Sequence, residues 1–280
     1  MTPPPIHPPP APRAWAQGDL FSGRGSGETA AAAPSPSPVV VSDALTDSAL
    51  IAAIPGAGQS ACRALAQEAV RRRLAAAIPA LEALCRRFKG FGLDHAIAEQ
   101  VAAVQAMAAI GGAEAVAAVR RVIVQDVVAG PGLAEAVRAA AVLRCVLPEH
   151  TAVALLRHPD PAVRAPACRC APRADQSAAL LASLLEDLNP GVAGEAAKAL
   201  ARMGRPDGRR RLLDLLAQQP DADLLSAIAV IADDECAVLL GRVARSHPPL
   251  RDAAVQALDS IETPRAAAVL ESLAKAATTA

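Results

Sequence analysis

The chain repeats one eleven-residue pattern five times, as PGLAEAVRAAA (131–141), PAVRAPACRCA (161–171), PGVAGEAAKAL (190–200), PDADLLSAIAV (220–230) and PPLRDAAVQAL (248–258). Each copy begins with Pro, has an apolar third residue and carries small or aliphatic residues at positions seven and ten. The starts are 28 to 30 residues apart. Self-similarity at such a period is typical of a repeat architecture. We refer to these five stretches as the frames.

A second helical pattern lies between each frame and the next, so that one period reads as helix, tight turn, helix. Looser copies of the frame occur upstream, at 97–107 and 62–74. Three helix starts place a capping oxygen before a Pro at the first helical position, which is typical of helix N-termini. They are Asp160-Pro161, Asn189-Pro190 and Thr263-Pro264. One helix pair cannot cover its own apolar face, so the pattern predicts an all-α protein of about six to seven stacked helix pairs, an α-solenoid.

The composition supports this fold class and argues against others. Of 280 residues 70 are Ala, whereas there are three Phe, one Trp and no Tyr. A β-sandwich or barrel needs β-branched and aromatic residues, and base stacking needs aromatic platforms. The 28 basic and 28 acidic residues balance, and no region carries the basic excess that phosphate binding favours. We therefore expect no nucleic-acid partner.

The N-terminal segment differs from the rest of the chain. Ten of the 24 Pro lie in residues 1–38, among Gly, Ser and Ala. Such a segment cannot bury enough surface to offset the entropy of ordering, so we predict a disordered tail at 1–42 and a solenoid at 43–280. The start has no signal-peptide layout, and no apolar run reaches the roughly 18 residues of a membrane span. We expect a cytoplasmic protein without membrane association.

The repeat unit resembles the short HEAT repeat, of the kind also found in phycobilin-lyase-like proteins. The stretch LLRHPDPAVRAPAC (155–168) follows the HEAT outline in its paired Leu, its Asp-Pro, its Val-Arg and its last Ala, and 184–204 follows it with Ala193 in place of Arg. The resemblance implies a right-handed solenoid whose concave side is lined by the second helix of each pair and holds the partner. On that basis the candidate partner-binding residues are Arg138, Arg164, Glu195 and Arg251. The alternative is that they are solvated positions or salt bridges within repeats.

Two prolines set one repeat apart. Pro166 and Pro172 fall within and just after the helix predicted from Pro161. An interior Pro removes a backbone hydrogen bond and clashes with the preceding turn. We expect this helix to be short or bent.

Catalytic and metal-binding patterns are not found in the sequence. Cys168 and Cys170, with His150 and His158 upstream, come nearest to a metal cluster, but residues two apart on a helix point about 200° from each other. The six Cys lie in apolar helical patterns and are interpreted as buried thiols. We predict no metal, no cofactor and no enzymatic activity. The alternative is a HEAT-type enzyme, similar to a bilin lyase or a DNA glycosylase.

The tail contains one candidate docking motif. Gln17, Gly18, Asp19, Leu20 and Phe21 resemble the motif by which bacterial proteins bind the sliding clamp: Gln, a variable residue, Ser or Asp, Leu, Phe. The resemblance implies that the Gln17 amide hydrogen-bonds the clamp while Leu20 and Phe21 fill an apolar pocket. A chance linker sequence, or a segment that docks on the solenoid, remains the alternative.

Taken together, the patterns predict a non-enzymatic protein-binding scaffold or adaptor that uses the concave surface of the solenoid. The alternatives are the HEAT-type enzyme and a DNA-metabolism factor that docks on a sliding clamp through the tail.

Overall fold

The computed structural model describes residues 45–278, which lie within one compact unit, Pro38–Ala280. The tail predicted at 1–42 falls outside the described residues. The described residues form fifteen α-helices and no strand. The helices are α1 (Asp47–Ala53), α2 (Gln59–Arg71), α3 (Ile78–Arg87), α4 (Ala98–Ile110), α5 (Gly112–Val124), α6 (Gly132–Val142), α7 (Glu149–Leu156), α8 (Pro161–Cys170), α9 (Asp175–Ser183), α10 (Pro190–Arg202), α11 (Arg209–Gln218), α12 (Ala222–Val230), α13 (Asp234–Ser246), α14 (Arg251–Asp259) and α15 (Pro264–Thr278).

The helices form two layers that alternate along the chain. Each even-numbered helix from α2 to α14 packs against the next even-numbered one, and we call this row the even layer. The odd-numbered helices from α3 to α15 form the odd layer, in which each of α3 to α13 packs against the even helix that follows it. Helix α1 packs on α2, and α15 packs on α13 and α14. Seven successive helix pairs and a last helix therefore make an α-solenoid, as predicted.

Small side chains form the contacts within the even layer. Ala103, Ala140, Ala167 and Ala196, on four successive even helices, are fully buried. Ala at these positions lets helix axes approach towards the closer end of about 8–10 Å. The core consists of two clusters that meet on α10, where Ala196 and Leu200 belong to one cluster and Ala197 and Ala201 to the other. Part of the abundant Ala of the sequence is thus buried in the packing between helices.

The predicted capping residues cap their helices. Asp160 Oδ1 accepts a hydrogen bond from Ala162 N at 2.8 Å, and Asn189 Oδ1 accepts one from Gly191 N at 2.9 Å. Thr263 Oγ1 accepts from Ala266 N at 3.2 Å. Each satisfies a backbone donor of the first helical turn that has no partner within the helix.

Helix α8 continues through Pro166 and ends at Cys170, with ten residues. Its end is set by Pro172, because the residue before a proline is pushed out of the helical region, and Ala171 is extended at φ −67° and ψ 132°. The carbonyl of Cys170 accepts a hydrogen bond from Leu147 N at 2.9 Å, which ties this end of α8 to the segment after α6.

The fourth frame is displaced by two residues from the register that its Pro220 predicts. Helix α12 begins at Ala222, because Asp221 Oδ1 accepts from Leu224 N at 2.7 Å and so caps it. Leu224 and Ile228 are then buried, whereas Val230, an apolar position of the frame, is 55% exposed. The cap by Asp221 determines where this helix begins, and the burial of Leu224 and Ile228 determines which face packs on the core. The pattern of the frame determines neither.

Two buried polar side chains link neighbouring helix pairs. Gln100 in α4 is 1% exposed, and its Nε2 donates to the carbonyls of Cys85 at 3.1 Å and Val127 at 2.9 Å. Glu82 in α3 accepts from Arg86 Nη2 at 2.7 Å and from Arg121 Nη2, in α5, at 2.6 Å. Hydrogen bonds from Arg121 hold the pKa of Glu82 below its ordinary value despite the opposing effect of burial.

Candidate protein-binding groove

The four candidates predicted for the concave face all lie on the even layer. Arg138 in α6 is paired with Glu135 one turn earlier on the same helix. Arg251 is the first residue of α14 and is exposed. Glu195 is on α10 and Arg164 on α8. Their role in binding stays a prediction, and their surroundings differ from one another.

The Arg164 guanidinium forms hydrogen bonds with several groups of the chain itself. Its Nε and Nη2 donate to the two carboxylate oxygens of Asp187 at 2.9 and 3.0 Å, and its Nη1 donates to the carbonyls of His158 and Pro159. The hydrogen bonds from Arg164 lower the pKa of Asp187. Arg164 therefore ties the start of α8 to the turn before α10, so its salt bridge joins two neighbouring repeats and is not one within a repeat.

A charge network joins α10 to α12 on the even layer. Lys198 Nζ lies 3.1 Å from Glu195 Oε1 and 3.2 Å from Asp221 Oδ2. Burial alone would lower the pKa of Lys198, but the two carboxylates outweigh burial and raise it. Arg202 Nη2 donates to Asp223 Oδ2 at 2.9 Å. These pairs satisfy the carboxylates at the start of α12.

Arg169 of α8 reaches across α10. Its Nη2 lies 3.8 Å from Asp223 Oδ2 on α12, and its Nε lies 3.9 Å from Glu195 Oε2 on α10. Both distances exceed hydrogen-bond length. Arg169 therefore lies within 4 Å of carboxylates on both of the next two even helices.

A cavity of about 710 Å³ opens beside Arg169. Its walls come from the end of α8, from one side of α12 and α14, and from the residue two after α6. The lining side chains used below are Arg144, Arg169, Ser226, Val230 and Gln256. Because α12 begins two residues after Pro220, Ser226 and Val230 are exposed and line this wall. The frame predicts both positions to be buried.

A second cavity, of about 580 Å³, lies between α2 and α4 of the same layer. Its lining is mostly Ala with Val70 and Val101, and Arg63, Gln67 and Gln105 supply the polar groups. Both cavities thus open on the face made by the even-numbered helices, the helices that the frames mark as the second of each pair. Apart from Glu195, which lines a separate space of about 140 Å³, none of the four predicted candidates lines a cavity described here.

The sequence reasoning missed Arg144 and Arg169. Arg144 falls after its frame, in the left-handed backbone conformation at φ 52° that ends α6. Arg169 stands between Cys168 and Cys170, which were considered as metal ligands and interpreted as buried thiols. The signal that could have found Arg169 is the helical period, because it follows Ala162 and Pro166 on one side of α8, away from the buried Val163 and Ala167.

The cysteines are buried and unpaired, as predicted. Burial raises the pKa of the Cys85 and Cys170 thiols to about 12, so both remain protonated near neutral pH. Within residues 45–278, no group of three or more His, Cys, Asp or Glu is placed to hold a metal ion.

Two further predictions concern other parts of the chain. No helix in the described range combines the length and apolar character needed to cross a membrane. The candidate docking motif, Gln17, Asp19, Leu20 and Phe21, lies outside the described residues.

The fold is an α-solenoid built of stacked helix pairs, and both larger cavities lie along its even layer. Residues 149–232 match the family model of HEAT repeats. The matched residues run from α7 to α12, and the match confirms the HEAT-repeat resemblance for this segment. No curated protein matches the chain significantly.

Proposed function

We propose that the chain is a non-enzymatic scaffold or adaptor that binds a partner protein in the groove of its even layer. The observation that carries the proposal is that both cavities, of about 580 and 710 Å³, open on this one layer. Stacked helical repeats present extended concave surfaces of this kind to other proteins. Cytoplasmic location is part of the proposal, and the free buried thiols are consistent with a reducing compartment.

The chemistry of the lining supports binding rather than catalysis. Ala, Val, Ser, Gln and Arg line the two cavities, together with one carboxylate, Asp223, which is already paired with Arg202. A lyase or glycosylase reaction needs a group poised to exchange a proton or to attack, with its pKa set for that task. The paired Asp223 does not fit that description.

Site-specific photo-cross-linking tests the scaffold proposal. Benzoylphenylalanine is placed at Gln256, in the cavity wall, and in a matched variant at Arg210, on α11 of the odd layer. We expect ultraviolet irradiation in native cells to attach the same protein at Gln256 in every replicate and nothing reproducible at Arg210. Reproducible adducts only at Arg210, or none at either position, would contradict the proposal.

A second candidate function rests on the tail motif. If Leu20 and Phe21 fill an apolar pocket of a bacterial sliding clamp, the full chain should bind the purified clamp in a surface-immobilised assay. The double substitution Leu20→Ala and Phe21→Ala should abolish that binding, whereas Gly18→Ala, at the variable position, should retain it. Equal binding by the double variant and the wild type would end this interpretation.

A further inference from the structure

We propose that the cavity between α8, α12 and α14 is a recognition site for an acidic side chain of the partner, carried on a segment with neighbouring aliphatic side chains. The inference rests on the proposed scaffold function and specifies the chemistry of the partner. It is carried by two guanidinium groups that line one cavity and whose charges are incompletely paired within the described chain.

Arg169 keeps its hydrogen-bonding capacity available. Its two nearest carboxylates are beyond hydrogen-bond distance, and each carboxylate group has a closer cationic partner, although the Glu195 Oε2 that faces Arg169 accepts no hydrogen bond itself from the described residues. Glu195 is 3.1 Å from Lys198, and Asp223 is 2.9 Å from Arg202. A guanidinium presents five N–H donors in a planar fork that suits a carboxylate. A carboxylate brought by a partner would therefore meet unsatisfied donors.

Arg144 supplies a second charge on the same cavity. It is exposed and forms no ion pair with any residue in the range 45–278. Its φ of 52° belongs to the turn that closes α6, in which Cys145 N donates to Ala140 O at 2.8 Å, so the backbone beneath the side chain is fixed. A fixed backbone reduces the ordering cost of holding the guanidinium on a ligand.

Aliphatic surface accompanies the two charges. Val230 lines the cavity and is 55% exposed, and the floor is formed by Ala residues of α12 and α14. Beside Arg144, Val142 and Val146 are 63% and 56% exposed. Exposed Val next to an unpaired Arg matches a segment in which an Asp or Glu is followed by small aliphatic residues. A volume of about 710 Å³ holds several such side chains.

The test uses a random twelve-residue peptide library displayed on phage and panned against the full chain. We expect the enriched peptides to combine Asp or Glu with Ala, Val, Leu or Ile. A synthetic peptide of an enriched sequence should lose at least roughly tenfold in affinity when its acidic residue is replaced by the corresponding amide. Its binding should also weaken with added salt, because the attraction is screened.

Variants of the chain locate the binding. The double variant Arg144→Gln with Arg169→Gln should weaken the peptide by at least roughly tenfold, whereas Arg210→Gln, the same change on the odd layer, should not. Ser226→Trp fills the cavity while both arginines remain, and should weaken binding equally. Thermal unfolding of each variant shows whether it is folded. Arg251→Gln tests in the same assay whether that sequence-predicted candidate contributes.

Three outcomes would overturn the inference: no enrichment, enrichment without acidic residues, or unchanged binding by the arginine double variant. The scaffold proposal fails separately. If a protein cross-links at Gln256 and binds the arginine double variant at full affinity, the scaffold proposal stands and the acidic-segment inference falls. If no protein cross-links at Gln256, the scaffold proposal is contradicted. The peptide experiment then tests only whether the cavity binds an acidic segment.

Discussion

Buried polar side chains form hydrogen bonds between helices, which small apolar side chains cannot form. Gln100 donates from one amide nitrogen to the carbonyl of Cys85 in α3 and to that of Val127 in the segment after α5. The pattern of apolar residues could not identify this role, because a Gln within an apolar helix has the same appearance in the sequence whether it faces solvent or the core. Gln105, one and a half turns later on α4, is exposed.

Replacing Gln100 by Met keeps its length and removes both donors. We expect Gln100→Met to lower the free energy of unfolding by about 1–3 kcal/mol, because the buried carbonyl of Val127 loses its donor, whereas the carbonyl of Cys85 still accepts from Phe88 N. Gln105→Met, the same change on the exposed face, should alter it by less than about 0.5 kcal/mol. Urea titration monitored by circular dichroism measures both, and equal effects of the two substitutions would show that the buried donor contributes nothing.

The ion pair of Glu82 predicts a pH-dependent stability. Because hydrogen bonds from Arg121 lower the pKa of Glu82 in the folded chain, its contribution to stability is complete above the ordinary carboxyl range of about 4.3. That contribution is lost as the pH falls through the lowered pKa. We therefore expect the stability difference between wild type and Glu82→Gln to be larger at pH 7 than at pH 3.

The control for Glu82 is Glu262→Gln, at an exposed carboxylate in the turn before α15. It should change the free energy of unfolding little at pH 7. Denaturant unfolding at the two pH values gives all four differences. A Glu82→Gln effect that stays constant or grows on acidification would mean that the ion pair does not stabilise the fold.

At the scale of the helix, the sequence predicted the helices and three caps, but α12 begins two residues and α14 three residues after the Pro that opens its frame. The caps at Asp160, Asn189 and Thr263 were readable because a local hydrogen bond determines where a helix starts. The fourth frame failed because its Pro220 lies before Asp221, and the cap by Asp221 sets the start. Its displaced register is also what places Ser226 in the cavity wall.

Two substitutions in α12 distinguish the observed register from the one that the frame predicts. Ile228 is 1% exposed and Val230 is 55% exposed. We expect Ile228→Ala to cost about 3 kcal/mol, by loss of buried surface and creation of a cavity, and Val230→Ala less than about 0.5 kcal/mol. Thermal or denaturant unfolding provides the comparison. A larger cost for Val230→Ala would restore the register of the frame.

Close packing of α13 on α15 depends on Gly241. A Cβ at this position would lie 2.4 Å from Val269 Cγ1. Gly241→Ala gains helix propensity of up to about 1 kcal/mol but overpacks this contact, so we expect a net loss of about 1–2 kcal/mol. In the background of Val269→Ala the loss should vanish, which a double-mutant cycle of unfolding free energies measures.

Gly56→Ala is the matched control, because nothing lies within 4 Å of a Cβ at position 56. It should leave the stability nearly unchanged. If Gly241→Ala is as harmless as Gly56→Ala in the wild-type background, the helices are not as close at Gly241 as described.

At the scale of the whole described unit, the repeat period was enough to predict the solenoid, because stacking is the only way such helix pairs cover their apolar faces. The residues that line the groove were less predictable from the sequence than the solenoid. Arg164 was correctly placed on the even layer, but its bonds to Asp187 come from a turn 23 residues later. Arg144 and Arg169 line one cavity although they come from different repeats, and no single repeat of the sequence shows that they meet.

The central claim, that partners bind on the even layer, is tested most directly by thiol protection. Ser226→Cys and Ser260→Cys place a thiol in the groove, and Ser246→Cys places one on the exposed odd layer. The native thiols are buried and give little background. We expect the partner captured at Gln256 to slow maleimide labelling at positions 226 and 260 at least tenfold, with no change at 246. Protection at 246 alone, or equal labelling at all three positions with and without the partner, would contradict the claim.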